Sequence, residues 1–191
     1  PDTILAGSML AEQGGNVVDI AVGTALAAAH TEILMCSLGG SAFINLRLPG
    51  RGAEIIDGGD AMPGSAVGLR AEDASWRQAR IPYGDGITVN VGHCSVATPG
   101  MLSALETAWQ RHGTLPWREI VAPAIHFVRH GATVNQTLAA WLELTGETVF
   151  SVQPHSRASF FPNGRMLCKG DLFTIADYLS TLELIASEGA R

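Results

Sequence analysis

Two aspartates, Asp57 and Asp60, stand three residues apart in the glycine-rich stretch "IDGGDAMP". A turn that presents two carboxylates at one point can mark a ligand site. Turn chemistry alone also explains this composition, because Asp side chains bond to nearby amides, glycine accepts positive φ and Pro63 stops the strand. Taken by themselves, these residues favour the turn interpretation.

Two histidines, His126 and His130, are four residues apart on a predicted helix, a spacing at which two imidazoles can meet a metal ion. The stretch "HFVRH" lacks the carboxylate of a metalloprotease helix, and no third ligand is obvious. Surface histidines near a helix C-terminus, where their protonated forms suit the helix dipole, are therefore favoured. We expect no metal and no other cofactor.

No nucleophile is assigned within the chain. Cys94 follows His93 directly, but neighbours on a strand point to opposite faces and cannot act as nucleophile and base. The glycines of "SLGGSAF" enter a strand, whereas phosphate loops open a helix, so close backbone approach is the preferred interpretation. There is no GxSxG motif, and four serines near glycines have no base at a meaningful spacing: Ser37, Ser41, Ser65 and Ser95.

The composition is that of a well-buried globular protein, with 191 residues, 47% of them hydrophobic. The net charge of -6 comes without a long run of one sign, which argues against nucleic acid and anionic membranes as partners. The longest apolar run, around residues 25–29, is too short to span a bilayer. No signal peptide opens the chain, which favours a cytoplasmic protein, although a processed precursor would look the same. Three widely spaced cysteines predict reduced, buried thiols: Cys36, Cys94 and Cys168.

The elements that must position these residues begin with a core helix. Asn16 and Asp19 form the pattern of an N-cap and a capping-box acid ahead of "VVDIAVGTALAAAH". The segments "SAFINLRL" and "AEIID" then predict a hairpin that ends at the Asp57 turn, with Phe43 facing the opposite way to Ile44. Residues 67–91 are irregular, with a loop and a short strand at "YGDGITV".

The second half of the chain predicts a helical layer packed on this sheet, in a single domain over residues 1–191. Thr98 is the expected N-cap of the first of these helices, which Gly113 ends. The remaining signals are a helix that ends at Gly131 and is kinked at Pro123, a third helix capped by Asn135, and a last helix that closes at Gly189.

Several segments together resemble the gamma-glutamyltranspeptidase family, in the family's order. They are "MLAEQGGNVVDIAVGTALAAAHTE", "SLGGSAFINLRL", "IIDGGDAMP", "SVATPGMLSALETAWQRHGTLPWREIVAPAIHFVRHGATVN" and "DLFTIADYLSTLELIASEGA". The most specific elements are "GGNVVDIAV" and "SVATPGMLSAL", with the "HGTLPW" that follows it. The chain is similar to the N-terminal part of the family's large subunit over nearly its whole length.

This resemblance implies an α+β fold, the four-layer αββα sandwich of N-terminal-nucleophile hydrolases. Such proteins are made as one precursor that cuts itself into a large and a small chain. The new N-terminal Thr of the small chain is the nucleophile, and its own amine is the base. The resemblance therefore places no catalytic residue in this chain and predicts a small catalytic partner chain from the same precursor.

One part of the family's substrate site does fall within this chain. In typical members the strand runs into "DGRETAP", where the Arg grips the α-carboxylate of the γ-glutamyl group in a bidentate pair. Aligning Asp57 and Pro63 puts Gly59 where that Arg belongs and Asp60 where the Glu belongs. The resemblance thus marks Asp57, Gly59 and Asp60 as a substrate-binding corner rebuilt for a small molecule other than glutathione.

Two alternatives stay open on the same scaffold. Some relatives in specialised metabolism resemble the family yet cleave a carbon–carbon bond next to a carbonyl, in building alkylproline precursors of antibiotics. An inactive scaffold or binding protein would also lose the Arg clamp. The sequence of this chain does not separate these alternatives from a hydrolase or acyltransferase.

Overall fold

The computed structural model describes residues 2–63, 76–175 and 177–190, and within these ranges the chain is an α+β protein. The helices are α1 (Asp2–Glu12), α2 (Val17–Thr31), α3 (Met101–His112), α4 (Trp117–His130), α5 (Gln136–Thr145), α6 (Pro154–Phe160) and α7 (Tyr178–Glu188). The strands are β1 (Ala42–Arg47), β2 (Ala53–Gly58), β3 (Arg77–Ile81), β4 (Ile87–Val91), β5 (Ala132–Thr133) and β6 (Leu172–Phe173). They form three antiparallel pairs, β1 with β2, β3 with β4 and β5 with β6.

The predicted capping box at the start of α2 is confirmed. The Asn16 side chain accepts hydrogen bonds from the backbone N–H groups of Val18 and Asp19, at 2.8 and 3.0 Å. The Asp19 carboxylate in turn accepts from the Asn16 N–H at 2.9 Å. Because α2 is apolar on most of its circumference, it lies at the centre of the larger core cluster, with α1, α3 and α4 against it.

The predicted hairpin is also confirmed, and its two faces differ in burial. β1 and β2 pair in register from Ala42 opposite Gly58 to Arg47 opposite Ala53. The inner face, which includes Ile56, packs on α3. The outer face carries Phe43 and Ile55, which are 71% and 70% exposed. Alternation along the strands therefore leaves uncovered, in the described part of the chain, a sheet face that carries these two large apolar side chains among polar ones.

Helix α3 begins later than the sequence predicts, so the assignment of Thr98 as its N-cap is wrong. The backbone of Thr98 pairs instead with that of Ala61. The distance is 2.9 Å from the Thr98 nitrogen to the Ala61 oxygen and 3.1 Å from the Ala61 nitrogen to the Thr98 oxygen. Gly100 is the N-cap, and the N–H groups of Gly100 and Met101 both donate to the carbonyl of Gly40. Contacts far away in sequence thus satisfy the helix start that a Thr side chain would otherwise cap. The predicted end at Gly113 is confirmed.

The later helices follow the prediction more closely. Helix α4 continues through Pro123 and ends at Gly131, whose φ is 85°. Asn135 caps α5 by accepting from the Leu138 N–H at 2.8 Å, and Gly189 ends α7. A second, smaller core cluster joins α5, α6, β5 and β6. The kink at Pro123 and the single domain over residues 1–191 stay predictions.

Helices α1 and α6 and strands β3, β5 and β6 have no counterpart in the sequence predictions. The short strand after "YGDG" is confirmed as β4, whereas residues 67–75 of the irregular stretch lie outside the described residues. The expectation that all three thiols are buried is wrong, because Cys94 and Cys168 are exposed and only Cys36 is partly buried. His93 and Cys94 lie in a short 3-10 turn, His93–Ser95, and not on a strand. No helix in the described residues combines the length and apolar character needed to cross a bilayer.

Candidate functional site

The stretch from Asp57 to Ala61, which we call the Asp57 corner, follows directly from the end of β2. Asp57 Oδ1 accepts a hydrogen bond from the Gly59 N–H at 2.8 Å, which closes a turn. The pairing of Ala61 with Thr98 fixes the other end of the corner. Both Asp57 and Asp60 are exposed, so their carboxylates are presented to solvent at one point of the surface.

The corner rests on the start of α3 at a contact between backbones. A Cβ on Gly100 would lie 2.6 Å from the carbonyl carbon of Gly58 and 2.7 Å from the carbonyl oxygen of Gly59. A Cβ on Gly58 would lie 2.5 Å from the Ala104 Cβ. Because no real Cβ tolerates these distances, glycine at both positions lets the end of β2 lie directly on the helix.

Gly59 is the residue that the resemblance aligns with the Arg of "DGRETAP". A Cβ there would lie 3.0 Å from Asp57 Oδ1 and 3.4 Å from Cζ of Phe43. The backbone of Gly59 does not adopt positive φ. A side chain at this position would therefore extend along the outer face of the hairpin, between a carboxylate and an aromatic ring, with small adjustments of its neighbours.

The described residues supply no cation to the Asp57 corner. Their ion pairs involve Glu54, Asp171 and Glu183, and neither Asp57 nor Asp60 takes part. Residues 64–75, which follow the corner closely, lie outside the description. The described part of the corner is thus an acidic surface next to an exposed Phe43 ring.

The opposite end of the hairpin is fastened to the C-terminus of α3 by charged groups. Glu54 pairs with Arg111 through one carboxylate oxygen and lies 2.7 Å from His112 Nε2 through the other. The hydrogen bond from Arg111 and that from His112 hold the pKa of Glu54 below its usual value. The hairpin is therefore attached to α3 at both ends, which fixes the position of the Asp57 corner on the helical layer.

No catalytic group accompanies the corner in the described residues. The corner itself, from Asp57 to Ala61, contains no Ser, Thr, Cys or His. Of the serines near glycines, Ser95 donates to the Gly92 carbonyl at 2.7 Å, and Ser65 lies outside the described residues. The described part of the corner thus presents two carboxylates to solvent and supplies no hydroxyl, thiol or imidazole.

The structure brings the three predicted site residues, Asp57, Gly59 and Asp60, together in one turn. Sequence reasoning did not include Phe43 or Gly100 in the site. The alternation of "AFINLR" already put Phe43 on the face away from the helices, and its pairing with Asp57 in the register of the hairpin completes that signal. Nothing local in the sequence shows that Gly100 touches the corner, because the contact joins residues about 40 positions apart.

The fold defines the class of protein. The structure of gamma-glutamyltranspeptidase from Helicobacter pylori matches all of this chain and 53% of its own, with a TM-score of 0.82 and 25% sequence identity. The cephalosporin acylase from Bacillus halodurans matches 99% of this chain and 34% of its own, with a TM-score of 0.78 and 26% identity. These are N-terminal-nucleophile hydrolase folds, so the predicted fold class is confirmed.

The family follows from the sequence comparison. The model of the gamma-glutamyltranspeptidase family matches residues 4–191, and the chain belongs to that family. It is 32% identical to the glutathione hydrolase proenzyme of Escherichia coli (strain K12), over 93% of this chain and 30% of that protein. It is also 32% identical to an acylase proenzyme of Pseudomonas sp. (strain SE83), over 96% of this chain and 33% of that protein. The chain thus spans about a third of the length of these relatives.

Proposed function

We propose that this chain is the large, non-nucleophile part of a self-processed hydrolase or acyltransferase that acts on a small molecule other than glutathione. The nucleophile is an N-terminal Thr on a small chain cut from the same precursor, with its own amine as the base. The Asp57 corner contributes to the substrate pocket. The observation that carries the proposal is Gly59 beside Asp60, at the place where the resemblance expects Arg and Glu.

The charge of the corner opposes a γ-glutamyl substrate. Leaving a buried carboxylate without its partner typically costs several kcal/mol, on the order of 2 to 5 kcal/mol. Asp57 and Asp60 add repulsion to this loss, because no described cation pairs with either. The Phe43 ring and the space beside Gly59 suit a bulkier ligand that lacks the carboxylate or carries a positive charge.

The uncovered side of the hairpin supports the small chain as partner. Phe43 and Ile55 are large apolar side chains on one exposed sheet face. A separate apolar groove of about 520 Å³ lies where β1 meets α2 and α3. Exposed apolar surface of this kind is typical of an interface, and the relatives are about three times longer than this chain. A second layer of sheet from the small chain is the occupant that we assign to this face.

The first experiment identifies the partner and the reaction. The complete gene product is expressed and purified, and the N-termini of its chains are sequenced. Its turnover is then compared on a γ-glutamyl anilide, other acyl amides and C-acyl amino acids. We expect a companion chain that begins with Thr, and turnover that favours a substrate without the γ-glutamyl carboxylate. An uncut precursor without turnover would support the scaffold alternative, and rapid γ-glutamyl turnover would contradict our interpretation of Gly59. Cleavage of the C-acyl substrates would favour the carbon–carbon-bond alternative.

A second experiment restores the missing clamp. The double change Gly59→Arg with Asp60→Glu has room on the outer face of the hairpin and returns a guanidinium to the corner. We expect γ-glutamyl turnover to rise by at least about tenfold, because the low end of the clamp energy, about 2 kcal/mol, exceeds the roughly 1.4 kcal/mol that corresponds to a tenfold change. Asp60→Glu alone is the matched control and should leave the rate unchanged. An equal rise in both variants would exclude the guanidinium as the cause.

The partner surface is tested by charge substitution. Ile55→Glu puts a carboxylate on the outer face of the hairpin, whereas Leu184→Glu does so on α7, where the side chain is 55% exposed. We expect Ile55→Glu to reduce the amount of small chain that copurifies with a tagged large chain, and Leu184→Glu to leave it unchanged. Equal copurification in both variants would place the interface elsewhere.

A further inference from the structure

The side of α4 that faces away from the core carries two adjacent imidazoles. Both His126 and His130 are exposed, and their ring centroids are 4.4 Å apart with the planes tilted by 36°. The spacing of four residues puts both side chains on the same face of the helix, one turn apart. Two imidazole rings are thus already next to each other on one helix.

The hydrogen bond of His130 determines which of its ring nitrogens keeps a lone pair that can bind a metal ion. Nδ1 of His130 lies 2.9 Å from the backbone carbonyl oxygen of His126. A carbonyl oxygen only accepts, so Nδ1 carries the proton and Nε2 of the neutral ring keeps its lone pair. Histidines that bind metals are commonly held in this way, with the second nitrogen donating to a carbonyl or carboxylate. The spacing in the sequence did not reveal this orientation.

The residues around His126 and His130 favour one class of metal ion. The two rings line a groove of about 530 Å³ between α4 and α7, together with Arg118, Arg129 and Glu183. Glu183 Oε1 accepts from Arg129 Nη2 at 2.8 Å, so this carboxylate is already engaged. Calcium and magnesium need several oxygen ligands, which this groove does not offer. Nickel, copper and zinc ions bind well to imidazole.

Although the sequence alone favours surface histidines without a metal, the geometry of the pair leads us to propose that His126 and His130 form a two-histidine binding site for a divalent transition-metal ion that prefers imidazole. No group of three or more His, Cys, Asp or Glu residues able to hold a metal occurs in the described parts of the chain. Water therefore completes the coordination, and the site is open and exchangeable. The expected order of affinity places Cu²⁺ above both Ni²⁺ and Zn²⁺. This site is separate from the Asp57 corner and does not depend on the proposed reaction.

The test uses the complete protein after removal of metals by a chelator. Cu²⁺ is titrated by calorimetry into the wild type, into His126→Ala and His130→Ala, and into the control His155→Ala on α6. We expect each α4 variant to bind Cu²⁺ about tenfold more weakly or worse, and the control to match the wild type. Electron paramagnetic resonance of the Cu²⁺ complex should show coupling to two imidazole nitrogens in the wild type and to one in each α4 variant.

Thermal unfolding supplies the second measurement and guards against misfolded variants. Both α4 side chains are exposed, so the melting temperatures of the metal-free proteins should agree. Added Cu²⁺ should raise the melting temperature of the wild type and of His155→Ala, because a ligand that binds only the folded state stabilises it. Copper affinity that is unchanged in both α4 variants, or lost in His155→Ala, would overturn the proposal. Stabilisation by inorganic phosphate without any effect of Cu²⁺ would make the groove an anion site instead.

Discussion

The start of α2 and the Asp57 corner use aspartate in opposite ways. Asp19, at the start of α2, is fully buried and accepts hydrogen bonds from Asn16, Thr114 and Leu115. Asp57 and Asp60 are exposed, and the one hydrogen bond found for them among the described residues joins Asp57 to Gly59. A carboxylate surrounded by donors of its own chain serves the fold, whereas one that faces solvent is available to a ligand.

The pKa of Asp19 reflects this environment. Burial acts to raise the pKa, but the hydrogen bonds from the Thr114 hydroxyl and from the backbone N–H groups of Asn16, Thr114 and Leu115 outweigh it, and the pKa is lowered. The ionised form is thus the one that the fold requires. It contributes stability above its ordinary pKa, and this contribution is lost as the pH falls through the lower value of the folded state.

The largest effect should come from removing this buried carboxylate. Asp19→Ala leaves the N–H groups of Asn16, Thr114 and Leu115 without their acceptor and opens the capping box. We expect the free energy of unfolding to fall by about 4 kcal/mol, from the lost cap and the unpaired buried donors. Urea denaturation of the complete protein measures it, with Asp60→Ala as the matched control. A loss below about 1 kcal/mol would contradict the proposed difference between Asp19 and the exposed aspartates of the Asp57 corner.

His30 is the opposite case to Asp19, because it is a buried titratable group without hydrogen-bond partners in the described residues. His30 is fully buried against the rings of Phe173 and Tyr178, and neither of its ring nitrogens has a hydrogen-bond partner in the described residues. Burial lowers the pKa of His30 from 6.5 to about 4. The folded state therefore holds a neutral ring at a pH where the unfolded chain binds a proton.

The depressed pKa of His30 makes the protein less stable as the pH falls. As the pH falls from 6.5 to about 4, the unfolded state gains a proton on His30 and the folded state does not. Stability is thus lost across this window, by about 3 kcal/mol in full, since each pKa unit is worth about 1.4 kcal/mol. We expect His30→Leu to flatten urea midpoints between pH 6.5 and 4 and to leave the loss from Asp19 at lower pH. An unchanged slope would show that His30 does not govern this window.

The contact beneath the Asp57 corner should give the next largest effect. In Gly100→Ala the new Cβ meets only backbone atoms of Gly58 and Gly59, so the end of β2 must move away from α3. We expect a loss of about 2 kcal/mol, within the usual range for overpacking. Gly52→Ala is the matched control, because nothing lies within 4 Å of its Cβ position and its φ is not positive. Equal stability of the two variants would show that the corner does not depend on this contact.

The capping box and the Asp57 turn could be predicted because their signals lie within a few residues. The start of α3 could not, since Thr98 pairs with Ala61 and Gly40 accepts the first N–H groups of the helix. Helix α1 was missed for a related reason. Gly7 weakens the local helix signal, yet it lies where α1 approaches Thr24 of α2 too closely for a larger residue.

The candidate site also combines residues that local sequence predicts with contacts that it does not predict. Asp57, Gly59 and Asp60 were found from turn composition and from the aligned Pro63. The hairpin pattern predicted the outward direction of Phe43, but not its distance of 3.4 Å from the Cβ position of Gly59. The face of a strand on which a side chain lies follows from the local sequence, whereas the contacts in a site depend on how elements distant in sequence pack together. The uncovered outer face of the hairpin could be predicted as a direction, but its occupant could not.

The smallest effect on stability should come from replacing Asp57 or Asp60, in contrast to Asp19. Asp57→Asn keeps an oxygen that can accept from the Gly59 N–H, and Asp60→Asn removes only an exposed charge, so each should change the free energy of unfolding by less than about 0.5 kcal/mol. If the corner binds substrate, the same variants should instead raise KM for the best substrate of the complete enzyme. Urea denaturation and steady-state kinetics on the same preparations separate the two roles. A stability loss above about 1 kcal/mol with unchanged KM would make this turn structural, like the one around Asp19, and would remove the reason for assigning it to the substrate pocket.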